Sequence, residues 1–272
     1  MLSQIKKHPV QSPILKNYIR FFWELRIVDA QINHKLIPQK NINIRFNLSD
    51  TPHYVCHNNQ ENQLEDVYFG GLQNQFTNTH LKINGNVDII GICFEPDGVY
   101  PFLRTPVSEF KNQILGADEV GFRVAKKING RLKEASGTSN KLEMLENELL
   151  LLLDNYYQVP ENFRIIFNTI KQNNSLQIKE FCQENNIGLR QMERMFTKYV
   201  GLSANSYNTL NRFHNSISQL IHSRFSKLSD LAYDNEYFDQ MHFIKEFKRF
   251  TGNTPKSFIN HNNSILQIGK LT

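Results

Sequence analysis

The sequence predicts an α+β chain, with a small β-barrel or sandwich carrying two helices first and an all-helical part after it. Three observations lead there. The first hundred residues are short apolar, aromatic or β-branched runs separated by Asn-, Gly- and Pro-bearing turns, with no helix-length pattern. After Phe110 the apolar residues recur every three or four positions instead. The charge divides as well: residues 1–160 hold 17 Lys+Arg against 17 Asp+Glu, whereas 161–272 hold 14 against 9. The whole net charge of +5 therefore belongs to the helical part, as expected if only that part approaches a polyanion.

Taken in order, strands are expected over residues 18–27, 41–48, 67–72 and 87–95. Ile42, Ile44, Phe46 and Leu48 keep strict period two, which marks a strand with one buried face. Two helices follow over 120–135 and 142–156, joined by Ser136-Gly137-Thr138-Ser139. Leu142, Leu145, Leu149, Leu152 and Leu153 form the second helix's stripe, which packs within its own domain, closes the barrel or meets a second subunit. Proline disfavours helix in the residue before it, so Gln158-Val159-Pro160 marks a boundary, with domains 1–159 and 160–272. Asn162 is the expected cap of the next helix. Helices are then expected over 163–171, 176–184, 189–200, 204–223, 228–233 and 240–249, with a short turn after Pro255.

Composition excludes several classes. At 40% hydrophobic the chain can build a core, yet its richest apolar stretch, around residues 149–153, is far too short to span a bilayer. No secretory pattern opens the sequence, and three widely spaced cysteines do not make a disulfide framework, so a cytoplasmic protein is expected with no membrane partner. No Gly-rich phosphate loop, nucleophile elbow or persuasive carboxylate pair is present, and no catalytic residue or cofactor is expected. His53, Cys56 and His57 form the one tight group of metal-ligand types. Beside Asn58-Asn59-Gln60 it reads as a solvated loop, so no metal is expected, with a metal-dependent enzyme as the alternative. Trp23, Tyr18, Phe46 and Phe94 read as core, the alternative being that they line a small-molecule cavity.

Two segments about fifty residues apart read as one device built twice. In the first, Met192, Met195, Phe196 and Tyr199 make an inner face, while Arg190, Arg194 and Lys198 form a ridge bordered by Gln191. In the second, Phe243, Phe247 and Phe250 face inward, and Gln240, Met241, His242 and Lys245 point elsewhere, with Lys248 and Arg249 at the far end. Arg grips guanine O6 and N7 with two hydrogen bonds, Gln does likewise for adenine, and Lys suits phosphate. Tyr207, Leu210, Phe213, Ile217, Leu220 and Ile221 stripe the helix between them, a rod of roughly 30 Å at ~1.5 Å per residue. Major-groove faces on one side of B-DNA recur every ~34 Å, so double-stranded DNA is the expected partner. A protein-interaction module docking on acidic surfaces is the rival reading.

The runs Leu228-Ser229-Asp230-Leu231-Ala232, Tyr237-Phe238-Asp239-Gln240-Met241-His242-Phe243 and Phe247-Lys248-Arg249-Phe250-Thr251-Gly252-Asn253-Thr254-Pro255 resemble the C-terminal signature of AraC/XylS-type transcriptional regulators. Arg190-Gln191-Met192-Glu193-Arg194-Met195-Phe196 with Val200-Gly201-Leu202-Ser203 resembles that family's first unit, and the match runs over about residues 163–262. The resemblance implies two helix-turn-helix subdomains joined by a long helix. Arg190, Gln191 and Arg194 would face bases in the first, and Gln240, Met241, His242 and Lys245 in the second. Lys198, Lys248 and Arg249 would meet phosphate, and RNA polymerase would be a partner. The family usually has Gly where Glu236 stands and Ser where Gly188 stands. Gly91-Ile92-Cys93-Phe94-Glu95-Pro96, Gly98-Val99-Tyr100-Pro101-Phe102 and Gly70-Gly71-Leu72-Gln73 resemble a cupin-like domain found ahead of this motif. That likeness implies a sensory or oligomerisation role but names no ligand; a barrel interior can enclose a small-molecule effector, and the barrel edge or the 142–153 helix offers a surface for a homodimer.

Overall fold

The computed structural model describes residues 5–58, 60–153, 158–173, 176–221 and 227–261. Its first part is one antiparallel sheet with eight strands among the described residues: β1 (Lys6–His8), β2 (Ile19–Lys35), β3 (Asn43–Asn47), β4 (His53–His57), β5 (Gln60–Gln63), β6 (Val67–Gly70), β7 (Thr79–Phe94) and β8 (Ile114–Gly116). The order is β1-β2-β7-β3-β6-β8, with β4 pairing β5 and β7. β2 and β7 are far longer than the other strands and pair along their whole length, broken by a bulge between Ile27 and Ala30 where Asp29 has φ 50°. The bulge raises local twist. One half of β7 then takes β3 as its neighbour and the other half takes β4.

One face of this sheet carries Phe22, Ile44, Phe46, Ile90 and Ile92, which join the main core with Tyr18 and Phe94. Over it lie α2 (Ala125–Glu134) and α3 (Thr138–Leu152), through Ile128, Leu132, Leu145 and Leu149. The leucine stripe of α3 thus packs within the chain. The opposite face is not solvated as a one-sided strand requires: Asn41, Asn43 and Asn47 are buried, and Trp23 belongs to a second apolar cluster there. The first helix begins at Ala125 rather than 120, and α3 begins at Thr138, directly after Gly137. Residues 154–156 of that expected helix lie outside the described residues. The stretch read as a loop around His53 is the β4–β5 hairpin.

Downstream the described chain is helical: α4 (Glu161–Gln172), α5 (Ile178–Glu184), α6 (Leu189–Tyr199), α7 (Ala204–Ile221), α8 (Leu228–Asp234), α9 (Gln240–Thr251) and α10 (Pro255–His261), with the short α1 (Tyr100–Leu103) earlier. α4 starts one residue before Asn162, whose side chain instead accepts from Phe163 N at 2.8 Å. α7 spans 18 residues, ~27 Å, and residues 222 and 223 of the expected rod lie outside the description. It serves two cores. Tyr207 meets Phe167 and Phe196 on one side, and Phe213 meets Phe247 and Phe250 on the other. Each fully buried ring contributes about 1.5–3 kcal/mol.

The sheet and the helices share contacts along α7. Lys40 Nζ donates to Asn211 Oδ1 at 3.0 Å, and His214 Nε2 lies 2.9 Å from the Pro38 carbonyl oxygen. Burial, with Lys40 and Arg20 nearby, pushes the His214 pKa down to about 3. Its ring is therefore neutral and donates one N–H to Pro38. Lys171 pairs with Glu95 at 2.6 Å, and Arg164 stacks on Tyr18. Among the described residues no helix is long and apolar enough to cross a membrane.

Candidate nucleic-acid interface

Two helix-turn-helix units are built by the same local moves. α5 ends at Asn185, Asn186 takes the left-handed conformation (φ 53°), and Ile187 N donates back to Cys182 O at 2.8 Å. Fifty residues on, α8 ends at Asn235, Glu236 takes φ 60°, and Tyr237 N donates to Ala232 O at 3.0 Å. Asparagine adopts that conformation readily and glutamate does not, so the turn of the second unit holds a strained residue. The chain then re-enters helix. Gly188 opens α6 with no side-chain cap, whereas Asp239 opens α9 by accepting from His242 N at 2.6 Å.

Each second helix has one face in a core and one in solvent. Met192, Phe196 and Tyr199 are buried, and so are Phe243, Phe247 and Phe250. Arg190, Gln191 and Arg194 are exposed on α6. Gln240, Met241, His242, Lys245, Lys248 and Arg249 are exposed on α9. The helix-turn-helix family matches residues 181–261, which span both units. Residues 181–261 thus form a helix-turn-helix domain, of the AraC type. That domain supports a DNA-binding role in transcription regulation. A second family, described as a domain of unknown function (DUF6597), matches residues 9–116. No curated protein sequence matches the chain.

Among solved structures, ToxT from Vibrio cholerae O395 is similar at 10% identity and TM-score 0.45, over 96% of this chain and 99% of that one. ToxT bound to (E)-4-(8-methylnaphthalen-1-yl)but-3-enoic acid is similar at 11% identity and TM-score 0.46, over 95% and 99%. The C-terminal domain of AraT, a response regulator from Geobacillus stearothermophilus, is similar at 18% identity and TM-score 0.35, over 39% of this chain and 88% of that one.

Within the helix-turn-helix domain, Lys198 also has partners inside the chain. It is half-buried, with its ammonium 5.1 Å from the Tyr100 ring centroid and 5.0 Å from that of Tyr199. A hydrogen bond with Tyr100 raises its pKa. It clasps the first unit to the sheet half. Arg249 is exposed, but its guanidinium lies over Phe250 and its carbonyl accepts from Phe76 N at 3.3 Å. The glycines that follow α6 and α9 also meet the sheet half. A Cβ at Gly201 (φ 86°) would lie 2.9 Å from Val107 O, and one at Gly252 (φ 73°) would lie 2.9 Å from the Phe76 ring.

Three features escaped sequence reasoning. Phe238, next to the α9 cap, is 92% exposed, although its place in the Tyr237-Phe238-Asp239 run already put it beside the reading helix. Glu246 is buried on α9, where it accepts from Arg212 Nη2 of α7 at 3.0 Å while the Arg212 guanidinium stacks on Tyr237. Arg249 and His242, three and four residues away on the same helix, also approach Glu246 at 4.0 and 3.9 Å. The third is Arg45, inside the sheet. His53, Cys56 and His57 do not converge: His53 is buried with Nδ1 3.2 Å from the Tyr68 hydroxyl, while His57 is exposed beside Thr79. Among the described residues no group of three or more His, Cys, Asp or Glu is placed to hold a metal ion.

Proposed function

We propose that the two reading helices enter successive major grooves on one face of a DNA duplex and read base edges together. The supporting observation is the pair of exposed polar faces on α6 and α9, fixed by aromatic cores to the two ends of one rigid 18-residue helix. Arg190, Gln191 and Arg194 supply base contacts in one groove, and Gln240, Met241, His242 and Lys245 in the next. Lys248 and Arg249 meet phosphate, and Phe238 gives an apolar contact to a sugar or a thymine methyl group. Lys198 is engaged with Tyr100 and stays outside this set. The domain division at residue 160, action in the cytoplasm, a homodimer and contact with RNA polymerase belong to the same proposal, as does a small-molecule effector sensed by the sheet. No catalytic step forms part of it.

The test is duplex selection with purified protein, followed by affinity measurement across salt. Affinity for the selected site should fall steeply and log-linearly with salt. Arg194→Ala should weaken that site by about 1–3 kcal/mol and relax preference at one position. Equal loss on random DNA would assign Arg194 to phosphate. No sequence preference at all would favour the acidic-surface docking module.

A further inference from the structure

At the far end of β7 the sheet face that carries the main core elsewhere turns polar. Side chains alternate along a strand, so His80 and Lys82 share a face with Ile90 and Ile92, while Leu81 and Ile83 join the apolar cluster around Trp23. Cys56 of β4 pairs with His80 on one side and with Glu61 of β5 on the other. Residues directly opposite share a face, which makes Glu61, Cys56 and His80 one row, with Lys82 diagonal to the cysteine. Glu61 Oε2 accepts from Lys82 Nζ at 2.7 Å and from the Cys56 thiol at 3.1 Å. Lys82 also hydrogen-bonds with the cysteine sulphur. A thiol and an amine therefore touch each other and share one carboxylate oxygen.

The trio lines an open polar groove of about 310 Å³, with Asn33, Asn78 and His80 on its walls. The Glu61 and Lys82 side chains are 46% and 39% exposed, so solutes reach them, and as an ion pair they contribute little to stability. Their protonation states select the reagent. Hydrogen bonds from Lys82 and Cys56 hold the Glu61 carboxyl below the usual carboxylate range. Lost hydration and the bond to Glu61 push the Cys56 thiol up. Peroxide oxidises the thiolate, so a thiol kept protonated resists it. An aldehyde carbon suits two adjacent nucleophiles better, because it takes both in turn and gives up its oxygen as water.

We infer that Cys56, Glu61 and Lys82 form a covalent capture site for a small aldehyde, which joins sulphur to nitrogen through a single carbon. Sulphur adds to the carbonyl carbon while Glu61 takes the thiol proton and hands it to the carbonyl oxygen, leaving a hemithioacetal. An ammonium proton of Lys82 then passes to the hydroxyl, which leaves as water, and the freed nitrogen takes its place on that carbon. The ammonium state that Glu61 favours is thus the proton source. Thiol, ammonium and aldehyde give one positively charged sulphur–carbon–nitrogen bridge and one water, with no oxidant or reductant. Contact between the two nucleophiles gives the second step an advantage that an isolated lysine lacks. The site lies outside both helix-turn-helix units and does not rest on the groove reading.

The full chain is incubated with formaldehyde or acetaldehyde, digested and mapped by mass spectrometry, with hydrogen peroxide at equal concentration as a parallel arm. The expected product is a bridged pair of peptides holding Cys56 and Lys82, heavier after formaldehyde than the two together by one carbon atom. Cys56→Ser and Lys82→Arg should each abolish it. Glu61→Gln should slow its formation roughly a hundredfold, with far-UV circular dichroism that of the parent. The bridge in the parent chain decides alone if a variant does not fold. No bridge, equal bridging of Cys56 to other lysines, or an unchanged rate in Glu61→Gln overturns the inference. So does oxidation of Cys56 by peroxide that outpaces its capture by formaldehyde. No DNA enters this experiment, so its failure and that of the groove reading are separately visible.

Discussion

The two helix-turn-helix units share a fold and differ in how they hold it. The second carries its own fastenings: the Asp239 cap, and Glu246 pinned to Arg212 of the linking helix. The first has an uncapped Gly188 and, at the position matching Glu246, the apolar Met195. It leans instead on surrounding structure, with Phe163 and Phe167 of α4 against Phe196, Val107 against Gly201, and Tyr100 under Lys198. Repetition of a motif therefore does not repeat its energetics. The second unit has a side-chain cap and an ion pair to the linking helix that the first lacks, and both units also lean on the sheet half.

The largest expected break in this comparison is Glu246→Ala. It leaves Arg212, whose side chain is 17% exposed, without its counter-charge, and should cost about 3–5 kcal/mol in urea unfolding. Met195→Ala should cost clearly less. Equal losses would mean that the Arg212–Glu246 pair is no brace.

Next comes pH. Burial holds His214 down to about 3 and both His34 and His53 down to about 4, against about 6.5 for a free imidazole. Between those values the unfolded chain binds protons that the folded chain refuses, so stability is full above pH ~6.5 and is lost as pH falls toward 4. Each histidine adds a slope of about 1.4 kcal/mol per pH unit in that window. His214→Gln, measured by urea unfolding at pH 6.5 and 5, should flatten the dependence by about 2 kcal/mol over that interval. An unchanged slope would show that His214 is not held neutral by its burial.

Much of this was legible in the sequence, and what was not has physical causes. The helical period placed Phe196, Phe213 and Phe247 in their cores because an amphipathic helix announces its buried stripe. The left-handed turn at Glu236 was legible by comparison with the usual glycine. The inner face of the sheet was not. Ile42, Ile44 and Phe46 suggested that Asn41, Asn43, Arg45 and Asn47 faced solvent, yet the sheet curls and buries the three asparagines. Asparagine is depleted in strands, so three at alternate positions beside Arg45 were the available signal of a polar interior. The β4–β5 hairpin was hidden by its polar tip, and the clasp at Lys198 depends on Tyr100, about a hundred residues away.

Smaller effects sharpen the contrast. Asp239→Ala should cost about 1 kcal/mol, whereas Gly188→Ser should gain only a few tenths. The first loss is read as a lower Tm, and a comparable loss for Gly188→Ala would put the two caps on one footing. At the turns, Glu236→Gly should stabilise by about 0.5–1 kcal/mol through relief of left-handed strain, less the added freedom of the unfolded chain. Asn186→Gly should be near neutral, and a gain as large as that at Glu236 would remove the distinction between the two turns.

The central proposal is that α6 and α9 read two grooves of one duplex together. Hydroxyl-radical footprinting on a selected site tests it most directly. The account predicts two protected tracts on the same face, centred about 10 base pairs apart, with Arg194→Ala opening one and Lys245→Ala opening the other. A single protected tract, or loss of the same tract in both variants, would contradict it.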